Sequence, residues 1–435
     1  MPRFPQSRPL KVLLNNELVG QLSKDSSGAI YFRYGEKWLS KRSAVPVSLS
    51  LPLREDAYKG APVVAVFENL LPDSIELRQR VAEKVGAQGI DAYSLLSQIG
   101  RDCVGALQFL PEDQMAGKDA SLIDGEPIHE HEIEKLLNNL ARAPLGLDRD
   151  QDFRISVAGA QEKTALLLYD GMWFKPRGTT PTTHLFKTQI GSLPNGMDLS
   201  NSVENEFYCL KLLAAFGLPV NQAEIKQFGK TKALVIKRFD RAWTKANRIL
   251  RIPQEDFCQI LSRPPSLKYQ NLGGPGMVDI LNRLKGADAP GEDQKMFLKA
   301  QILFWLIGAT DGHAKNFSVF LGGGGTFRLA PFYDVLTSQP SVDSRQIERK
   351  QMKLAMSVGQ NRHYRIDEIE GHHFVQTAGL AGLPAGLATD ALQEIAREAE
   401  RAIKLVEAEL HAGFPPEIHA SVKNGMALRL PKIRN

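Results

Sequence analysis

The stretch Ile302-Leu-Phe-Trp-Leu-Ile307 closes a helical pattern that begins at Asp293, and it is apolar on every side. A helix with no polar face has no side to present to water, so the pattern predicts a central, buried helix over 293–307. Whatever follows it is carried on a rigid support. The chain around this helix is 435 residues long, 43% hydrophobic and 24% charged, the mix of a globular protein of more than one domain. No run approaches the roughly 18 apolar residues of a membrane span. Met1-Pro-Arg-Phe-Pro5 lacks the apolar core of a signal peptide, so a cytoplasmic location is expected. Cys103, Cys209 and Cys258 lie far apart, which excludes a disulfide framework or a cysteine zinc site. A net charge of +5, spread along the chain, permits nucleic-acid contact without requiring it.

Three parts follow one another. Residues 1–145 read as a small α/β subdomain. It opens with a meander over 11–14 and 29–34, continues with helices over 63–85 (broken at Leu71-Pro-Asp73) and 91–99, and adds a strand over 104–110 and a helix over 130–143. Residues 146–240 are β-rich, with strands expected over 153–157, 163–169, 183–187, 223–228 and 233–239 and one helix over 201–216. Residues 241–435 are mainly helical, with helices over 254–261, 276–284, 293–307 and 389–410. Within that part, strands over 317–321 and 327–330 flank the glycine run 322–325, which reads as a hairpin turn. The fold class is α+β, with sheet and helix in successive parts.

Directly behind the buried helix stands Gly308-Ala-Thr-Asp311-Gly-His-Ala-Lys-Asn316. An Asp and an Asn at this spacing match the protein-kinase catalytic loop D-x-x-x-x-N. There the Asp accepts the proton of the attacking hydroxyl, and the Asn oxygen reaches a magnesium ion on the phosphates. Tyr333-Asp334, after the hairpin, offers a second magnesium ligand. Such a site also needs a lysine on a strand, and Lys187 ends Thr183-His-Leu-Phe-Lys187. On the next helix Val203, Glu206, Phe207, Leu210, Leu213 and Ala214 form one stripe, which makes Glu206 a partner for an inward Lys187 and turns Glu204 elsewhere. Ser156-Val-Ala-Gly-Ala-Gln-Glu-Lys163 bends on small residues whose backbone N–H groups can cradle phosphate, although it is not a Walker A motif.

These residues carry a resemblance. Phe67-Glu-Asn-Leu-Leu-Pro-Asp73, Gln98-Ile-Gly-Arg-Asp102, Asp152-Phe-Arg-Ile-Ser-Val-Ala-Gly-Ala-Gln-Glu-Lys-Thr164, Thr180-Pro-Thr-Thr-His184 and the segment 305–318 resemble the HipA family, the serine/threonine kinase toxins of bacterial type II toxin–antitoxin pairs. The resemblance spans nearly the whole chain and suggests an orthologue of the founding member. It implies an atypical two-lobed protein-kinase-like fold with an added N-terminal α/β subdomain, using ATP and Mg2+. It implies that Ala158, Gly159, Ala160, Gln161, Glu162 and Lys163 wrap the phosphates, that Lys187 holds them, and that Lys237, Arg238 and Phe239 form the hinge beside the adenine. Asp311 would be the catalytic base, His313, Ala314, Lys315 and Asn316 would continue the nucleotide site, and Tyr333 and Asp334 would complete it, with Asn316 and Asp334 on the metal. Ser156 would be the autophosphorylation site that switches the enzyme off.

The implied partners are a HipB-type helix-turn-helix antitoxin dimer, operator DNA in the complex with it, and glutamyl-tRNA synthetase as the protein substrate. The basic stretch from Arg345 through Arg349, Lys350, Lys353, Arg362 and Arg365 would be the part to face DNA. Two departures stand out. Lys237 is basic at the hinge, and Ala309 stands two places before Asp311, where ordinary protein kinases have a histidine. Two other readings compete: a degenerate kinase fold acting with its antitoxin only as a corepressor, and a small-molecule phosphotransferase.

Overall fold

The computed structural model describes residues 7–114, 123–147, 153–159, 161–193 and 196–434. Its chain forms two units, one from Met1–Thr188, Lys226–Ser266 and Val319–Phe327, the other from Gln189–Ile225, Leu267–Ser318 and Arg328–Asn435.

The first unit begins with a five-stranded sheet in the order Tyr58–Lys59, Ile30–Tyr34, Glu17–Lys24, Leu10–Leu14, Leu107–Pro111. Asn15 and Asn16 take φ of 48° and 68°, the left-handed pair that a two-residue hairpin turn requires. Helices Ala61–Glu68, Ile75–Val85 and Ala92–Ile99 belong to the same unit. Ser74 and Asp91 cap the last two by accepting the N–H of Leu77 and of Ser94. Val12, Leu22, Phe32, Phe67, Leu96 and Phe109 lie in one core that runs on through Phe153, Ile155, Val157 and Ala165.

A second sheet has six strands, in the order Ala223–Phe228 (in this unit from Lys226 on), Thr231–Lys237, His184–Thr188, Lys163–Tyr169, Met172–Pro176, Gly125–Pro127. One face is covered by Ile133 and Leu137 of helix Glu130–Asn138, packed on Leu166, Phe186, Ala233 and Val235. The opposite face, with Ala165 and Leu185, belongs to the first core.

Two expectations need correction. Residues 153–157 are not a strand, because the segment has no ladder partner; its Ser156 N–H goes to the Asp102 carbonyl (3.0 Å). Residues 254–261 are a short strand, Gln254–Asp256, then helix Phe257–Ile260, because Asp256 accepts the Gln259 N–H and starts the helix there.

The second unit is mainly helical: Ser202–Ala215, Met277–Leu284, Pro290–Ile307, Gly371–Leu380, Ala385–Glu409 and Pro416–Arg429. The central helix is Pro290–Ile307, and every residue from Phe297 to Ile307 is buried, as its composition requires. Its Trp305 indole donates to the Ile366 carbonyl (3.0 Å), and Lys299 donates to the Phe216 carbonyl (2.6 Å) and pairs with Glu394. Gly308, at φ 73°, ends the helix. Among the described residues no helix is long and apolar enough to cross a membrane.

Candidate active site

In the second unit the central helix releases the chain into Asp311, which is exposed, and Gly312 through Asn316, which are buried. A Cβ on Gly312 would come within 2.5 Å of the Phe304 ring, so the loop lies directly on the helix. Asn316 turns its amide nitrogen to two carbonyls, Asp311 O at 2.9 Å and Asp334 O at 3.4 Å. One side chain therefore spans both acids of the expected constellation. Asp334 itself holds φ 58°, a left-handed backbone that costs a non-glycine residue about 1–3 kcal/mol and persists only where its surroundings enforce it. They do so on either side: Phe332 exchanges backbone bonds with Pro219 and Asn221, and Thr337 exchanges two bonds of 2.9 Å with the Asn205 amide. The Tyr333 hydroxyl bonds Ser318 Oγ (2.6 Å) and the Lys315 carbonyl (3.0 Å).

Asn205 lies on Ser202–Ala215, the helix that carries Glu206. Glu206 is buried as expected, but so is Glu204, which accepts from Gln189 Nε2 at 2.7 Å. The single-stripe expectation fails in part: Val203, Glu206, Leu210 and Leu213 are buried, but so are Glu204 and Tyr208, while Phe207 is only half-buried and Ala214 is exposed.

In the first unit Lys163 and Lys187 face one another across adjacent antiparallel strands, and both are buried. Like charges directly opposite on a sheet repel, so both ammonium groups depend on nearby acceptors or negative charge. Lys163 Nζ donates to the Ala158 carbonyl (2.8 Å). Gly159 holds φ 112°, and a Cβ there would fall 2.4 Å from Lys163 Nζ, so glycine is required where the bend crosses the lysine. Gln161 Nε2 donates to the Thr188 carbonyl (2.8 Å), Glu162 pairs with Arg80 (3.2 Å), and Ala160 lies outside the described residues. The bend is held from the N-terminal side. Asp73 N–H donates to the Gly159 carbonyl (3.2 Å), and the Ser156 hydroxyl, wholly buried, donates to the Leu70 carbonyl (2.7 Å).

The hinge residues divide. Lys237 is exposed and Phe239 packs edge-on against Phe320 (5.5 Å), but the Arg238 side chain points inward. It joins Asp102, Asp240, Arg241 and Arg251 in a buried network that residue spacing did not reveal. Asp102 accepts from all three arginines and from both the N–H and the hydroxyl of Thr182. Burial alone would raise its pKa, but the guanidiniums of Arg241, Arg251 and Arg238 hold the carboxyl far below the usual carboxylate range.

Residues 155–403 match the family model of the HipA-like C-terminal domain, and residues 10–110 that of the HipA N-terminal domain. The chain belongs to the HipA family. It is 35% identical to the putative kinase Y4mE of Sinorhizobium fredii over 381 residues, covering 87% of each chain. It is 29% identical to the serine/threonine-protein kinase toxin HipA of Shewanella oneidensis over 423 residues, covering 94% of this chain and 90% of that one. Its fold matches a chain of the solved complex of the Shewanella oneidensis MR-1 toxin–antitoxin system HipA, HipB and its operator DNA, with a TM-score of 0.81 at 24% identity over 98% of both chains. The two family-model regions meet in one core: the HipA N-terminal domain supplies Leu70, Asp73 and Asp102, which hold the first residues of the HipA-like C-terminal domain. The segments 67–73, 98–102 and 180–184, on which the resemblance was read, contain Leu70, Asp73, Asp102 and Thr182, which hold the bend or feed the buried network.

Proposed function

We propose that this chain is a HipA-type toxin, an ATP- and Mg2+-dependent serine/threonine protein kinase. The observation that carries the reading is the Asn316 amide, whose nitrogen is committed to the Asp311 and Asp334 carbonyls, so that its Oδ1 is the atom offered to a hard cation. Asn316 and Asp334 would hold Mg2+, whose charge offsets that of the phosphates. This donor set suits magnesium, which takes one or two protein oxygens and fills its shell with phosphate and water.

Asp311, exposed at the loop, accepts the proton as the acceptor hydroxyl oxygen attacks the γ-phosphorus and the bond to ADP breaks. Lys187 and Lys163 draw the phosphates onto the sheet, and the bend from Ala158 to Lys163 covers them. His313, Ala314, Lys315 and Tyr333 line the nucleotide site, and Lys237 to Phe239 form the hinge through backbone. The protein substrate is glutamyl-tRNA synthetase, the partner a HipB-type antitoxin dimer, and the pair binds operator DNA as a corepressor. Family membership supports these last assignments. The stretch Arg345–Arg365 offers DNA less charge than its composition, since Lys350 pairs with Glu348, and Arg365 with Asp367 and Glu368.

Ser156 is the self-phosphorylation site. Its hydroxyl must leave the core to react, and a doubly charged phosphate cannot return to a dry site, so the ATP cover is lost with it. Purified protein incubated with Mg-ATP and followed by intact mass and peptide mapping tests the scheme. One added phosphate on Ser156, absent in Asp311→Gln and in Ser156→Ala, is expected. An unchanged gain in Asp311→Gln would sink the assigned base, and no gain from an unphosphorylated start would sink the kinase.

A further inference from the structure

Asp311 is exposed, and an exposed aspartate ordinarily turns freely about its side-chain bonds. Here it does not, because the Tyr269 hydroxyl donates to Asp311 Oδ1 at 2.5 Å. A short bond from hydroxyl to carboxylate is among the stronger kinds a protein makes.

Tyr269 is half-buried and is itself tied to its surroundings. Its ring meets His313 edge-on at 4.9 Å, two residues beyond Asp311. Its neighbour Lys268 accepts the Ala314 N–H through its carbonyl (3.3 Å), which ties this segment to the catalytic loop backbone to backbone. The Tyr269 carbonyl accepts the N–H groups of Leu272 (3.1 Å) and Gly274 (2.9 Å). A Cβ on Gly274 would stand 2.0 Å from the Leu267 carbonyl and 2.7 Å from that of Tyr269, so only glycine closes this turn. Gln270 Oε1 accepts the Ser357 N–H at 2.7 Å. The hydroxyl is thus delivered to the carboxylate by a braced segment about forty residues away in sequence.

We propose that Tyr269 is a positioning residue for phosphoryl transfer: it fixes the Asp311 carboxylate through Oδ1 and leaves Oδ2 to take the acceptor's proton. The inference rests on the kinase reading above. Correct placement of a general base is worth orders of magnitude in rate, whereas nucleotide affinity is set elsewhere in the site. Loss of the hydroxyl therefore reaches the maximal rate and spares ATP binding.

The test uses the full-length, phosphatase-treated protein, with the rate of phosphate incorporation measured over a range of Mg-ATP concentrations. In Tyr269→Phe the maximal rate should fall on the order of tenfold, equivalent to about 1.4 kcal/mol. The half-saturating ATP concentration and the thermal midpoint should stay at the wild-type values. Tyr269→Ala, which also loses the ring contact with His313, should fall at least as far. A wild-type maximal rate in Tyr269→Phe, with only Tyr269→Ala impaired, would show that the ring and not the hydroxyl matters, and would overturn the proposal. So would a Tyr269→Phe defect confined to half-saturation or to the midpoint. Absence of incorporation by the wild type condemns the kinase reading itself. Incorporation by the wild type with an unimpaired Tyr269→Phe condemns only the role of Tyr269.

Discussion

Two carboxylates cannot balance three guanidiniums, yet Asp102, Asp240, Arg238, Arg241 and Arg251 are all buried together. The surplus falls on Arg241, whose pKa is pushed down to about 10 by burial and by the charge of Arg238, while Arg238 is raised by Asp240 and Asp102 against the cost of its own burial. Asp102→Asn would leave three buried cations facing one carboxylate, and removing one partner of such a set typically costs about 3–5 kcal/mol. Denaturant unfolding of the variant should read a loss of that size. Asp102 and Asp240 both have folded pKa values below the ordinary one, so their contribution is complete above the unfolded carboxylate value of about 4 and is lost as pH falls beneath it. Acid titration of the wild type should therefore destabilise it below about pH 4, and Asp102→Asn should show a flatter acid limb. The network was illegible in the sequence because Asp102, at its centre, meets its three arginines across 136 to 149 residues, and an isolated Arg or Asp carries no sign of its partner. Asp311, Asn316 and Asp334 were legible because two of them share one loop and the third follows one hairpin.

The helix Pro290–Ile307 shows what a local pattern can and cannot convey. Its apolar end left no face for water, so its burial followed from composition. Leu303, wholly buried in that run, has no exposed side to relax toward, and Leu303→Ala should cost about 2–5 kcal/mol in denaturant unfolding. Substitution of exposed Leu405, on helix Ala385–Glu409, should be within about 0.5 kcal/mol of neutral. Where periodicity misled, tertiary contacts were the reason. Residues 153–157 alternate like a strand but are pinned by the Asp102 and Leu70 carbonyls, and Ser202–Ala215 turns Phe207, Lys211 and Ala214 toward solvent while tertiary contacts bury Glu204 and Tyr208 against expectation. The strand Met172–Pro176 was missed although its signal was present: Asp170-Gly171, at φ 49° and 76°, is a two-residue hairpin turn.

At the scale of the molecule, the three cysteines report on the two units separately. Cys103 and Cys258 belong to the first unit, Cys209 to the second, and each is buried. Burial raises the Cys103 thiol and pushes Cys209 up to about 12, so neither forms thiolate near neutral pH. A thiol reagent should find no reactive cysteine in the folded chain and three in denaturant. If the units open at different denaturant concentrations, the thiols should appear as a pair and a single. The core that runs from Leu10 to Ala165 also bears on how such chains can be cut and recombined. Phe153, Ile155 and Val157 share that core with Val12, Phe67 and Phe109. A chain begun just before residue 153 would present these apolar side chains to water and should aggregate when expressed by itself. The N-terminal third is therefore not a detachable module, and recombination that exchanged it between distant relatives would have to exchange the lining of the phosphate bend as well.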